Sequence, residues 1–422
     1  MSRHAAARGR AVVALLAAAA LGGTLLAWWL QARSDVESGP RVEAASGERG
    51  DAPPQAPDKA AAAEAAASRL PGSPGLPGSP LSAQGLAERR EERVLWQARL
   101  ERARDALEGY RQVAQYPHES RPAEEHADQL RPFEPITEER ALRTPGGSGT
   151  AGVRLRTTQE RGFASGLESN RVTLTLTDDA GRVLPLRVTR AMLKEVTPPG
   201  RTSSTNEVPL DVNDAGRQGD AAAGDGTFTA LMQPGAQGFG GFAGTVRLEM
   251  NLEYAGQPGF IYFDVVYSPE QAATWLPGVR EAAGPGGLDF FVKAQVLMPG
   301  RYVVTGRIDD ARGKALALAQ FNGEVGAGAI EFRLPVFGKL IRDRQPVFPL
   351  VLRDVEAFLL KPDTFPDRVM LPRRAGVQLS SRSYALAGFA DTEWSSDERT
   401  RYLTELGKDV AAAEQKVQQL GP

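Results

Sequence analysis

"TVRLEMNLEYAGQPGFIYFDVVYS", residues 245–268, decides the fold. Val246, Leu248, Met250 and Leu252 alternate with Arg247, Glu249, Asn251 and Glu253, which is the two-residue period of a strand with one buried and one wet face. "AGQPG" supplies turn chemistry, and Ile261, Phe263, Val265 and Tyr267 then resume the alternation, so the stretch predicts a β-hairpin. The same pattern recurs upstream in "RVTLTLTDDAGRVLPLRV", residues 171–188. There Val172, Leu174 and Leu176 lead through a turn at Asp178–Gly181 to Leu184, Leu186 and Val188, a second expected hairpin with Pro185 placing the return strand near a sheet edge.

Downstream, "FFVKAQVLMPGRYVVTGRIDDARGKALALAQF" (290–321), "GAIEFRLPVFGKLI" (328–341) and "FPLVLRDVEAFLL" (348–360) alternate again. Short strands with glycine-rich turns and no interleaved helices favour antiparallel sheets packed face to face over a parallel α/β sheet. The expected fold class is therefore mainly β: two antiparallel Ig-like β-sandwich domains, at 150–268 and 287–392. "PEQAATWLPGVREAAGPG", residues 269–286, interrupts the pattern and is expected to be the linker between them.

Helical signals flank this β region. Residues 82–149 predict an amphipathic helix, carrying Trp96, Leu100, Ala103, Leu107 and Tyr110 at helical spacing, followed by an extended proline-rich segment. The helix either docks on the adjacent domain or pairs with a second copy. Residues 395–420 predict a C-terminal helix with a capping box from Ser395 to Glu398 and a thin apolar stripe of Leu403, Leu406, Val410 and Val417.

The N-terminus carries an export signal. Residues 11–30, "AVVALLAAAALGGTLLAWWL", are apolar or small throughout, enough for about 30 Å of helix. Arg3, Arg8 and Arg10 precede the run and keep residues 1–10 as a cytoplasmic tail, while Trp28 and Trp29 suit the far interface. An uncleaved transmembrane signal anchor is expected, with a cleaved signal peptide as the competing reading. Residues 31–81, rich in Ala, Pro, Gly and Ser, show neither hydrophobic period and are expected to form a disordered linker. This organisation places the protein in a bacterial inner membrane, single-pass, with its C-terminal bulk in the periplasm.

Composition narrows the chemistry. With 50 Lys and Arg against 52 Asp and Glu there is no basic field for a nucleic-acid backbone. The absence of cysteine removes disulfides, thiolate metal sites and a cysteine nucleophile. Of three histidines, His118 and His126 lie eight residues apart, outside the spacing that sets two imidazoles on one helix face. No catalytic residue and no organic cofactor site is indicated.

One stretch stands out: "NDAGRQGDAAAGDGTFTA", residues 213–230. Asp211, Asn213, Asp214, Asp220 and Asp225 offer hard oxygens of the kind calcium takes, and four glycines allow tight backbone. The competing reading is a long turn whose aspartates bond to its own amides. The stretch resembles the Asp-Gly-rich signature of exported bacterial proteins carrying the choice-of-anchor X domain. Asp214, Gly216, Gly219, Asp220, Gly224, Asp225, Gly226, Phe228 and Thr229 fall on that signature. The resemblance implies an Ig-like module presented on a membrane or surface anchor, and it implies no activity.

The expected function is thus a membrane-anchored periplasmic binding or scaffold protein, non-enzymatic, engaging the membrane through 11–30 and an envelope protein or glycan through its sandwiches. Two alternatives differ in class. One is an envelope hydrolase or glycan-active enzyme using the loop carboxylates; the other is a self-assembling surface or adhesion protein that forms homo-oligomers.

Overall fold

The computed structural model describes residues 83–143, 149–197 and 206–421. The expected tail, the 11–30 anchor and the 31–81 linker lie outside them, and among the described residues no helix is long and apolar enough to cross a membrane. The described residues divide into a helical unit, 83–113 and 395–421, and a β unit, Ala114–Trp394.

In the helical unit, α1 (Ala83–Val113) and the C-terminal helix α3 (Asp397–Leu420) run antiparallel. Tyr110 meets Tyr402 at 5.6 Å between ring centroids, and Arg104 reaches Glu414 at 2.6 Å. Sheltered positions recur at alternating steps of three and four: Trp96, Leu100, Ala103, Leu107 and Tyr110 on α1, and Leu403, Leu406, Val410, Ala413, Val417 and Leu420 on α3. That is the seam of a two-stranded coiled coil, with Ala413 fully buried where the helices approach. The apolar seam of α1 is covered by α3 of the same chain, so neither of its two expected partners is needed to shelter it. The cap of α3 also falls one residue later than the sequence suggests. Ser396, not Ser395, accepts the Arg399 N–H at 3.0 Å, because its extended backbone aims the hydroxyl at the third helical amide.

Among its described residues the β unit is mainly β, in four sheets. One pair comprises β2 (Ile136–Arg143), β3 (Gly149–Gln159), β5 (Asn170–Asp178), β9 (Thr227–Met232) and β8 (Val212–Asn213), in the order β2-β3-β5-β9-β8, facing β4 (Phe163–Ser165), β11 (Gln257–Ser268), β10 (Gly244–Tyr254), β6 (Arg187–Val196) and β7 (Glu207–Pro209), in the order β4-β11-β10-β6-β7. All pairings are antiparallel except that of β4 with β11. Leu155, Leu174 and Leu176 from one sheet meet Leu193, Leu248, Met250 and Val265 from the other in a single sandwich-like core. Each such side chain contributes roughly 1.5–3 kcal/mol when fully buried.

The stretch 245–268 forms the expected hairpin, with Val246 opposite Val265, Leu248 opposite Phe263 and Met250 opposite Ile261. Its two-residue turn holds Ala255 and Gly256 at φ of 50° and 74°, the left-handed pair that matches strand twist. The expected hairpin at 171–188 is not formed. Its outgoing strand is β5, but the return is confined to one bridge, Thr177 to Val183, before the chain crosses to the opposite sheet as β6.

The second pair comprises β1 (Ser120–Pro122), β15 (Ala315–Val325), β14 (Gly300–Asp309), β17 (Val351–Leu360) and β18 (Arg368–Met370), with β19 (Arg374–Ser380) also on β17, facing β12 (Ala273–Gly284), β13 (Gly287–Val296) and β16 (Gly328–Phe337). Phe332 is the centre of its core, 5.2 Å from Phe321, 5.8 Å from Tyr302 and 6.1 Å from Trp275. The short helix α2 (Gly338–Arg344) buries Leu340 and Ile341 against it.

Two expected boundaries are corrected. The 269–286 linker is in large part a paired strand, β12, running from Ala273 opposite Val296 to Gly284 opposite Gly287. The misleading Leu276-Pro277-Gly278 sits in a bulge between Trp275 and Val279, where proline's missing N–H is not needed. Likewise the proline-rich part of 82–149 is not separate from the domains. It lends β1 to the second sandwich, beside β15, and β2 to the first, which therefore starts at Ile136 rather than 150.

Within the β unit the two sandwiches are fastened at a polar joint. Ser165 Oγ accepts the Met370 N–H at 3.1 Å, Arg373 donates to the Glu160 carbonyl at 3.2 Å, and Lys361 pairs with Glu270 at 2.6 Å.

Candidate functional site

The Asp/Gly stretch is the connection between β8 and β9, which pair Val212 with Ala230 and Asn213 with Thr229. Between them residues 214–226 fold back on themselves. Gly216, Gly219, Gly224 and Gly226 take φ of 65°, 89°, 73° and 77°, a left-handed series that side chains with a Cβ resist. Three aspartates knit this backbone together. Asp214 Oδ1 accepts the N–H groups of Gly224 at 2.8 Å and Asp225 at 3.1 Å, and its Oδ2 accepts that of Gly226 at 3.0 Å. Asp220, only 8% exposed, accepts the Gly216 N–H at 2.6 Å and the Thr229 hydroxyl at 3.0 Å. Asp225 accepts the Thr227 N–H at 2.7 Å.

The Gly216 N–H, assisted by the Thr229 hydroxyl, outweighs the opposing effect of burial and holds the Asp220 carboxyl below the usual carboxylate range. A carboxylate so held is a structural acceptor and a poor general base.

Carboxylate oxygens of Asp214, Asp220 and Asp225 come within 4.8 Å of one another, the one such grouping of three metal-ligating side chains among the described residues. The other two members of the expected calcium set are turned elsewhere. Asp211 pairs with Arg217 at 3.3 Å, and Asn213 Oδ1 accepts the Ala215 N–H at 3.1 Å. Calcium takes six to eight oxygens, whereas this grouping brings three carboxylates whose oxygens, apart from Asp225 Oδ2, already accept hydrogen bonds. Both a self-bonded turn and a calcium site fit this donor set, the second with backbone carbonyls or water completing the shell.

A second feature escapes the alternation pattern, which follows only inward residues. A cleft of about 620 Å³ opens between Arg140 and Ala141 of β2 and the tip of the β10–β11 hairpin, with Asn251, Glu253, Phe260 and Tyr262 among its lining residues. Phe260 and Tyr262 are 41% and 47% exposed on the outer face of β11. Two aromatics two residues apart on the polar face of a strand were the available signal.

No family model and no curated protein matches the chain. Among solved structures, a DUF4785-family protein from Legionella pneumophila is 13% identical, with a TM-score of 0.38, over 54% of this chain and 57% of that one. Dimeric latent PorU from Porphyromonas gingivalis is 9% identical, with a TM-score of 0.16, over 58% of this chain and 34% of that one. The FN1–FN3 domains of chicken CNTN1 are 9% identical, with a TM-score of 0.19, over 58% of this chain and 91% of that one. At these scores the likenesses assign neither a fold family nor a function.

Proposed function

We propose that the protein is a membrane-anchored periplasmic binding or scaffold protein, non-enzymatic, whose two Ig-like β-sandwiches are presented by a single-pass anchor at residues 11–30. The resemblance of residues 213–230 to the choice-of-anchor X signature belongs to the same proposal. The observation that carries it is the inward use of the loop carboxylates: Asp214, Asp220 and Asp225 bond to their own loop and strand, leaving no positioned acid–base pair there. What these domains offer outward is surface, held by a bonded joint between the sandwiches. The test is fractionation of cells making the full chain. The expected result is a pellet-bound protein released by detergent but not by salt or alkali, and digested by protease added to spheroplasts. A chain found in the soluble fraction overturns the proposal.

A second reading, calcium at the same loop, is favoured by the convergence of Asp214, Asp220 and Asp225. Ion binding to the native state raises the unfolding midpoint with concentration. A calcium-dependent rise that Asp220→Ala abolishes supports this reading, and superimposed curves with calcium and with chelator reject it.

A further inference from the structure

We infer that the cleft between β2 and the β10–β11 hairpin is a subsite for a neutral glycan, which lays the flat C–H face of a gluco-configured pyranose on Phe260 and Tyr262. The inference rests on the binding-protein reading above and names the class of its ligand.

The aromatic pair is set before any ligand arrives. Asp264 grips Arg247 with two bonds, at 2.7 and 2.8 Å, and the Arg247 guanidinium lies 4.0 Å from the Tyr262 ring centroid. Phe260 stands 6.3 Å from Tyr262, centroid to centroid. A ring held this way loses little freedom on binding, which removes part of the cost of association. Around the rings are groups suited to hydroxyls. Asn251 is directly across the strand pair from Phe260, and Glu253 follows it on the same face of β10. A planar amide and a carboxylate each present two polar atoms to neighbouring hydroxyls. The cleft volume lies in the range of small-ligand sites.

Charge argues for a neutral ligand. The ions around the rings are already matched: Arg247 with Asp264, Lys194 with Glu249 at 2.6 Å, Arg140 with Glu138, and Arg187 with Glu253 at 3.9 Å. No excess of either sign is left to attract a charged ligand. The backbone argues against an added peptide strand. On the free edge of β11, Pro258 has no N–H, the Asp264 carbonyl already accepts from Gln159 at 2.7 Å, and the Val266 N–H already donates to Gly162 at 2.9 Å. Only the short stretch between them remains, too little for a ladder.

The test is calorimetric titration of the purified full chain, in a detergent without a sugar headgroup, with cellotetraose, chitotetraose and a β-linked galactotetraose whose axial hydroxyl interrupts the flat face. Saturable binding of a gluco-configured probe is expected, with the galactose probe weaker. Tyr262→Ala and Phe260→Ala should each weaken binding by about tenfold or more, and Tyr262→Phe, which keeps the ring, by much less. Both rings are exposed, so the alanine variants should unfold near the wild-type temperature. Absence of saturable binding to either gluco-configured probe, or equal affinity in the ring variants, overturns the inference. So does saturable binding of an extended Thr-Val hexapeptide without any glycan binding. Failed titration of a chain that still fractionates with the membrane rejects the glycan and leaves the anchored binder standing. A soluble chain rejects that reading whatever the titration gives.

Discussion

Residues 178–182 and 310–314 make the same turn in the two sandwiches and send the chain in different directions. Asp178 N–H donates to the Arg182 carbonyl at 3.0 Å, as Asp310 N–H does to that of Lys314 at 2.9 Å. Asp178 Oδ1 accepts the Ala180 and Arg182 amides, as Asp310 Oδ1 accepts those of Arg312 and Lys314. Gly181 and Gly313 share a φ of 78°. After the second turn the chain returns along a full ladder, from Ala315 opposite Asp309 to Val325 opposite Gly300. After the first it makes one bridge and leaves. The rungs it would need on β5 are taken, because β9 pairs with β5 from Thr175 opposite Thr227 to Asn170 opposite Met232. Local turn chemistry fixes the reversal of the chain, and competition for a strand edge fixes where the chain goes next.

The crowding at that edge gives the largest expected effect. Val183 lies against Gly226, the last glycine of the Asp/Gly loop, where φ is +77° and an added Cβ would collide with a Val183 methyl. Gly226→Ala should cost about 3 kcal/mol in urea unfolding, combining backbone strain with overpacking. Adding Val183→Ala should restore the steric part, since Val183 is half exposed and contributes little itself. Equal stability of the single and double variants would show that the two segments do not compete for space. Gly181→Ala and Gly313→Ala should each cost about 1 kcal/mol, from backbone conformation alone, because neither site has an atom within 4 Å of an added Cβ. Unequal costs would break the equivalence of the two turns.

The same contrast marks what the sequence could show. Alternation over 245–268 located a hairpin because both strands are half-buried and joined by two residues. Alternation over 171–188 was equally clear, yet it carried no information that β9, forty residues on, would claim the edge. The seam between α1 and α3 was visible as two stripes, but not as one interface. Leu276-Pro277-Gly278 looked like a linker because a bulge and a chain break use the same residues. At the Asp/Gly loop the residue types were legible, whereas the aim of each carboxylate depends on backbone angles set by Gly216, Gly224 and Gly226. Phe260 and Tyr262 leave no mark on the inward pattern, because an outward aromatic does not alter it.

Acid should separate the two aspartates bound to this region from ordinary surface carboxylates. Asp178 is held below the usual range chiefly by the Arg182 backbone N–H, and Asp220 chiefly by that of Gly216. A depressed folded-state pKa means the stabilisation is full above the unfolded value, about 3.9 for Asp, and is lost as pH falls through the lower folded value. Asp178→Asn and Asp220→Asn should therefore be less stable than wild type at pH 6, with the gap closing below about pH 4. A gap independent of pH would mean that the amide fails in geometry, and that charge is not what these sites use.

The smallest effect tests the explanation most directly. Pro185, exposed and two residues past the lone bridge, offers a simpler reason for the aborted hairpin: its ring fixes φ at about −65°, away from the more extended value of a paired antiparallel strand. If its ring stopped the ladder, Pro185→Val would let the return strand advance along β5, and amides at Phe228 and Ala230 would lose exchange protection as β9 is displaced. If β9 owns the edge, the substitution changes stability by only about 0.5 kcal/mol, through the freer unfolded chain, and the amides at Phe228 and Ala230 keep their protection. The second outcome is expected. β9 is tied at its start by Asp225 and Asp220 through Thr227 and Thr229, and at its far edge by β8, so a return strand freed of its proline has nothing sufficient to trade for it.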